Sequence, residues 1–396
     1  MQESNPRLST YSTTSFKKWL PVLGWALVYL LVAGGLQYYI SYPIDGDTAY
    51  HFAVGQLIRE HGILYSFPWT PFSWLANHYA DKELLFHLLF FPFAKLDYVT
   101  AARCVGSLAG ATILFTLYMV LRSEKVKFAA IWALVPMVAS VTFVYRFALV
   151  RPHLLSITLA LVFAWAATRR RLMILAVVSV LYPLSYVAFW QIPLIILVAV
   201  EMARLLSGEK IQWRPAAVAL AGIAFGIAIH PNTVNLIRLN WIQMANVLFQ
   251  NAWDAKESID LGTEFLPPSF LKWQKKLLIA VLMAFTGLLI AWRNRRENNV
   301  PLAFALTAIV FCVLTSSTER FVEYFVPFSA ISLALVSRYV RWRLLLPGVL
   351  CVSLLYSGLW GLGTLVGLSK RGNDMPASLS LKLQQLVPPG SQVFTP

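Results

Sequence analysis

The sequence predicts an all-α, polytopic membrane protein: a bundle of about eleven transmembrane helices with its chemistry on one face. Three observations carry this. Hydrophobic residues fill 58% of 396 positions and charged residues only 13%, more apolar surface than a soluble domain of this length can bury. Several apolar runs approach the roughly 20 residues that cross a bilayer as helix. The polar residues sort to one side or the other when these runs are laid out in alternation.

The elements follow in order. Residues 1–18 form a polar N-terminal segment. The run 19–41 follows Lys17 and Lys18 without a small-residue cleavage site behind it, so it reads as a retained span and not as a removed signal peptide. Further spans are expected at 99–121, 127–145, 150–168, 172–188, 189–206, 215–231, 275–292, 300–316, 321–337 and 344–368, with Pro183 and Pro193 offering other breaks in 172–206. The stretch 84–96 is too short to span and reads as a helix on or dipping into the outer face. The membrane domain is thus 19–368. The tail 369–396 reads as a short outer helix, a Pro-Pro-Gly turn and a single strand, like the start of a truncated soluble domain.

Charge tests this layout. With the N-terminus in the cytoplasm, the inner ends hold 18 of the 33 Lys and Arg but only five of the 18 acids. That is the bias of the positive-inside rule, so the net charge of +15 reports topology and does not point to nucleic acid. Cys104, Cys312 and Cys351 all fall inside predicted spans, which suggests neither a disulfide framework nor a zinc site. All six histidines and 13 acids fall on the outer side. Two long outer segments, loops 1 and 4 at 43–98 and 232–274, are where function is expected.

The stretch IDGDTAYHFA opens the first of them. Asp45 and Asp47 flank Gly46, which lets the backbone turn two carboxylates toward one point, as Mg²⁺ or Mn²⁺ would require. Asp47 before Thr-Ala-Tyr-His also suits a helix N-cap, with Gly62 as C-cap, and both roles stay open. His51 lies one turn further on. NHYADKELLFHLLFFP packs Asp81, Lys82, Glu83 and His87 against an apolar helix; without a His-Glu-x-x-His pattern, a metalloprotease has little support. Arg151 and His153, in RPHLL, stand at an outer span end, where they either snorkel or bind phosphate. His230 precedes Pro231 at another span end. Glu264 lies in the second long loop. In SSTERFVEYF, Arg320 lies at the outer end with Glu323 about a turn inside. An intramembrane acid is a functional candidate by default, and a pair with Arg320 three residues away is the plainer alternative.

These motifs resemble the GT-C class of membrane glycosyltransferases, which includes oligosaccharyltransferase catalytic subunits, protein O-mannosyltransferases and aminoarabinose transferases. The class places acids in the first outer loop, as IDGDTAYHFA does, with Asp47 the better match to the catalytic acid and Asp45 second. ADKELLFHLL is similar to the Lys-Pro-Pro-Leu segment of two branches, with Lys82 matching the lysine while Glu83 and Leu84 replace the prolines. Glu264 is similar in place to an acid of a later outer loop. The architectural resemblance covers residues 15–370; a Trp-Trp-Asp acceptor signature is missing.

The resemblance implies transfer of a sugar from a polyprenyl-phosphate donor to a glycan, lipid or protein acceptor on the outer face; a bacterial inner membrane is the expected location, since no eukaryotic targeting tail is evident. Asp47 and Asp45 would be catalytic and, with Glu264, would hold a divalent cation. Lys82, Arg151, His153 and Arg320 would neutralise the leaving phosphate. His51, Glu83, His230 and Glu323 are further candidates. A metal-free polysaccharide polymerase or ligase working through Arg and His is the first alternative. The second is a lipid or solute transporter, whose charges would lie deep between spans, where few are found.

Overall fold

The computed structural model describes residues 10–41, 43–71, 73–249, 266–340 and 344–370. Among them there is no strand. The helices are α1 Thr10–Tyr39, α2 Gly46–His61, α3 Leu84–Phe90, α4 Tyr98–Ser123, α5 Ala129–Trp132, α6 Val135–Ala139, α7 Val141–Ala148, α8 His153–Thr168 and α9 Leu172–Leu181. They continue as α10 Gln191–Leu206, α11 Trp213–Ala228, α12 Thr233–Phe249, α13 Phe270–Lys272, α14 Leu278–Arg293, α15 Val300–Ser317, α16 Val322–Val336 and α17 Leu345–Lys370.

The burial pattern is that of a protein solvated by lipid. Leu31, Met173 and Leu359 turn outward at 65%, 83% and 78% exposure, while Thr315, Glu323, Ser329 and Ser332 are fully buried. Two of these hydroxyls close locally: Thr315 and Ser329 donate to the carbonyls of Phe311 and Phe325, four residues back, at 2.7 Å. Without water, each polar group must find a partner inside the protein. α16 is buried along its whole length and forms the axis of the core, against α14 and α15.

Five helices are long and apolar enough to cross a membrane, or up to seven when two bent pairs count as one span each. The expected eleven runs all contain helix, but several are not single straight spans. The run 127–145 is cut into α5, α6 and α7. Pro136 fits only the first turn of α6, and Ser140 is extended and caps α7 through its Oγ. The run 172–188 stops at Leu181, two residues before Pro183. The segment 232–274, expected as an outer loop, contains α12, bent 117° from α11 across His230-Pro231. The stretch 84–96 holds only the seven-residue α3 and a 3₁₀ turn, Phe91–Phe93. The tail 371–396 lies outside the described residues.

Turns gather at two opposite ends. At one, Arg169 and Arg338 donate to Glu124, Arg204 to the Ala167 carbonyl and Arg295 to the Leu206 carbonyl. These are the residues expected at the cytoplasmic ends. At the other end, Arg103 donates to the carbonyls of Ile40 and Ser41, Leu85 N–H to Leu184, and Glu319 N–H to Leu266.

Close packing at glycines sets the candidate site. Gly106 and Gly110, a turn apart on α4, leave room for Gln37 of α1 and Phe147 of α7; a Cβ at either would lie within 2.8 Å of those side chains. Gly55 does the same between α2 and α3. A Cβ there would stand 2.6 Å from Cβ of Phe90 and 3.1 Å from the His87 carbonyl. The missing side chain brings α3 onto α2 and His87 onto His51.

Candidate functional site

The site starts at the head of α2. Asp45, not Asp47, is the N-cap: its Oδ1 accepts from Thr48 N–H at 3.1 Å and Thr48 Oγ1 at 2.8 Å. Gly62 closes the helix with φ 76° and donates to Ile58 O, as the sequence suggests. Asp47 falls in the first turn with its carboxylate 61% exposed. Both acids stabilise a helix N-terminus, one by capping and one through the dipole.

Between them sits Arg151, from the break where α7 and α8 meet at 115°. Its Nε donates to Asp45 Oδ2 at 2.5 Å, and its Nη2 lies 3.1 Å from Asp47 Oδ2. Nε and Nη2 form one edge of the guanidinium fork, so one side chain bridges both carboxylates. As folded, the doublet fits a guanidinium, and Mg²⁺ or Mn²⁺ binding both acids would have to displace it.

On the other side of α2, a buried chain of titratable groups runs inward. His51 Nδ1 and His87 Nε2 are 2.9 Å apart, and His87 Nδ1 donates to Asp81 Oδ1 at 2.7 Å. All three residues are buried. Burial opposes charge on His87, but the Asp81 carboxylate, its hydrogen bond and Glu83 outweigh this and raise its pKa above 6.5. Burial, then the charges of His87, Lys82 and Arg151, push His51 well below 6.5. Of the two rings, His87 is the one whose surroundings favour an added proton, and in that state its Nε2–H donates to His51 Nδ1.

His230 Nε2 donates to Asp81 O at 2.9 Å, and its Nδ1 accepts from Asn232 N–H at 3.0 Å. Asn232 in turn accepts from Asp81 N–H and donates to Leu64 O. His230 therefore braces the Asp81 backbone. Lys82, partly exposed, lies 3.9 Å from buried Glu83. The ligand atoms of His51, Glu83 and His87 lie within 4.8 Å of one another and could hold a metal ion. Two imidazoles and a carboxylate suit zinc better than Mg²⁺, and an ion held by both rings would take the place of their mutual hydrogen bond.

A third group is buried beneath the Arg151 loop. Glu323 Oε1 accepts from Arg146 Nε at 2.8 Å and again from Arg146 Nη2. His153 Nδ1 lies 4.0 Å from the same oxygen, and its Nε2 donates to Arg146 O at 2.8 Å. The i,i+3 alternative thus misses the main partner of Glu323, which comes from α7. Arg320 is near enough for its charge to bear on Glu323, and its guanidinium stands 5.7 Å from the Tyr186 ring centroid.

The fold therefore brings Asp45, Asp47 and Arg151 together; His51, Lys82, Glu83 and His230 around Asp81 and His87; and His153, Arg320 and Glu323 around Arg146. Glu264 lies outside the described residues. Sequence reasoning missed Arg146, although an arginine within the apolar run VTFVYRFALV is itself a signal. It also gave no separate role to Asp81 or His87, and passed over Asn232, whose contacts span about 150 residues of chain and leave no local pattern.

The raised pKa of His87 has a measurable consequence. A histidine raised on folding contributes stability that is full below the unfolded value and lost as pH rises through the folded one. His87→Gln should therefore lower the melting temperature more at about pH 6 than at about pH 9. An equal drop at both would mean that His87 is neutral in the folded protein.

No protein-family model matches the chain, and no curated protein sequence does. Among solved structures, the chain is similar to the Archaeoglobus fulgidus oligosaccharyltransferase, determined in complex with Zn and sulfate. The match has a TM-score of 0.58 at 15% identity and covers 91% of this chain and 55% of that one. The chain thus spans about half the length of that enzyme, and at this identity the likeness concerns the fold. The protein is a polytopic helical membrane protein with the GT-C-like fold of that oligosaccharyltransferase.

Proposed function

We propose that the protein is a membrane glycosyltransferase, moving a sugar from a polyprenyl-phosphate donor to an acceptor on the outer face. The observation that carries this is the exposed carboxylate of Asp47 at the head of α2, held beside Arg151 and Asp45. In a GT-C-like fold, this is an acid poised at a membrane boundary among fixed cations.

Asp47 accepts the acceptor's proton as its oxygen attacks the anomeric carbon, and the bond to the lipid phosphate breaks. Asp45 holds the helix end and orients Arg151. Lys82, with Arg320 deeper in, faces the charge on the departing phosphate. Such charge is poorly solvated near lipid, which makes fixed cations effective. Whether Mg²⁺ or Mn²⁺ takes part depends on its competing with Arg151 for the doublet. The Arg–His composition of the site favours, as a second reading, a metal-free polysaccharide polymerase or ligase.

Purified protein in lipid nanodiscs, given a radiolabelled polyprenyl-phosphate sugar and a mixed glycan, lipid and peptide acceptor pool, should release polyprenyl phosphate. Intact donor after long incubation with every pool would sink the reading. The orientation is tested separately. Tyr65→Cys should react with an impermeant maleimide from outside the cell, and Arg295→Cys only after the membrane is opened. The reverse pattern would put the candidate site in the cytoplasm.

A further inference from the structure

We propose that Arg151 is a built-in cation: its guanidinium takes the place of a divalent ion between Asp45 and Asp47, so the carboxylate pair works without a metal. This rests on the reading of that pair as the reaction centre, and it goes beyond it by assigning what holds the pair together.

The geometry is constructed from both sides. On one side, Asp45 is fixed by two hydrogen bonds to Thr48, and Thr48 Oγ1 also reaches the Val150 carbonyl at 3.4 Å. On the other, Arg151 N–H donates to Leu149 O at 3.0 Å, Leu154 N–H donates to Arg151 O at 3.1 Å, and Pro152 restricts the backbone next to it. The bridging side chain is thus anchored at its root, not carried on a mobile loop. Arg151 and Asp45 are both mostly buried, at 16% and 14% side-chain exposure, so the contact with Asp45 is screened less than a surface pair would be.

A divalent ion would need a different arrangement. Mg²⁺ binds carboxylate oxygens at about 2.0–2.1 Å and demands near-octahedral geometry. The two facing oxygens, Asp45 Oδ2 and Asp47 Oδ2, instead each meet one nitrogen of the same guanidinium edge. Asp45 Oδ1 is occupied by Thr48. The contacts to the doublet use two of Arg151's five N–H donors.

Charge also differs. Two carboxylates with one guanidinium carry −1, whereas a divalent ion would neutralise them. A centre of this kind needs further positive charge to receive a phosphate. Lys82, partly exposed and 3.9 Å from Glu83, is the cation proposed above to face that phosphate.

The test reads metal binding, so it fails separately from the transfer assay. Mn²⁺ is titrated into nanodisc-held protein and followed by electron paramagnetic resonance, for wild type, Asp47→Asn, Arg151→Ala and Arg151→Ala/Asp47→Asn. Wild type should show no Mn²⁺ site that depends on Asp47. Arg151→Ala should acquire one, at least about tenfold tighter than any Asp47-dependent binding in wild type, and the double variant should lose it. A wild-type site that vanishes in Asp47→Asn overturns the proposal, as does an Arg151→Ala protein that folds yet binds no Mn²⁺. Binding at His51, Glu83 and His87 would survive Asp47→Asn and so be told apart. If Arg151→Ala does not fold, melting curves of wild type and Asp47→Asn with Mn²⁺ and with chelator decide. No Mn²⁺-dependent shift in wild type supports the proposal, and a shift that Asp47→Asn removes overturns it.

Discussion

Arg146→Ala is expected to destabilise the folded protein by about 3–5 kcal/mol, the scale of breaking a buried ion pair by removing one partner. Glu323 is fully buried and takes both of its observed hydrogen bonds from Arg146. Removing the guanidinium leaves a carboxylate in a low-dielectric interior with only His153, at 4.0 Å, and Arg320 to compensate. Removing both charges is a different matter, since a buried ion pair often exchanges for apolar residues at little net cost. Arg146→Met/Glu323→Leu should therefore recover most of the loss. Denaturant or thermal melts of the single and double variants in nanodiscs give the comparison. Two additive losses would show that the pair is not coupled and that the carboxylate is stabilised elsewhere.

Asp47→Asn is expected to lower sugar transfer by at least about a hundredfold, within the range that general acid–base groups supply. The carboxylate is exposed, so the fold should tolerate an amide of nearly the same shape, and donor affinity should change little. Arg151 keeps Asp45, its closer partner. Asp45→Asn tests the other half: it should lower thermal stability as well as transfer, because it weakens a helix cap and an ion pair together. The diagnostic result is a fall in kcat for Asp47→Asn without a matching rise in KM. Normal turnover would make Asp47 a surface acid that only favours the helix dipole.

The sequence made some of this legible. The apolar runs and the split of charge between alternating ends were enough for a helical membrane bundle, because both follow from the bilayer itself. Polar residues of the segment 43–98 could be picked out because they interrupt apolar surroundings. The pairings could not. Arg151 lies 106 residues from Asp45, and Arg146 lies 177 from Glu323. Such contacts are set by how helices pack, and no local period records them. For Glu323, the i,i+3 rule favoured Arg320, since helical spacing is the only geometry a sequence shows directly. The cap was expected at Asp47 and lies two residues earlier, at Asp45, a distance within which helix starts are always hard to place. The broken third run was similarly hidden: Ser140 inside an apolar stretch reads as an ordinary small residue until its extended backbone is seen.

The short break between α7 and α8 has a wider consequence. Arg146, at the foot of that segment, is locked into the core through Glu323, while Arg151, five residues on, grips the acids at the mouth. His153, just beyond, binds back to the Arg146 carbonyl and closes the segment on itself. Interior and rim are thus rivets on one strap. A lipid phosphate that pulls on Arg151 would tug directly on the buried Arg146–Glu323 pair, and slack in the core would reach the mouth as misalignment. Thermal tolerance and turnover in this protein should therefore drift together when residues 146–153 are altered, and separately when the change falls at the opposite end of the bundle.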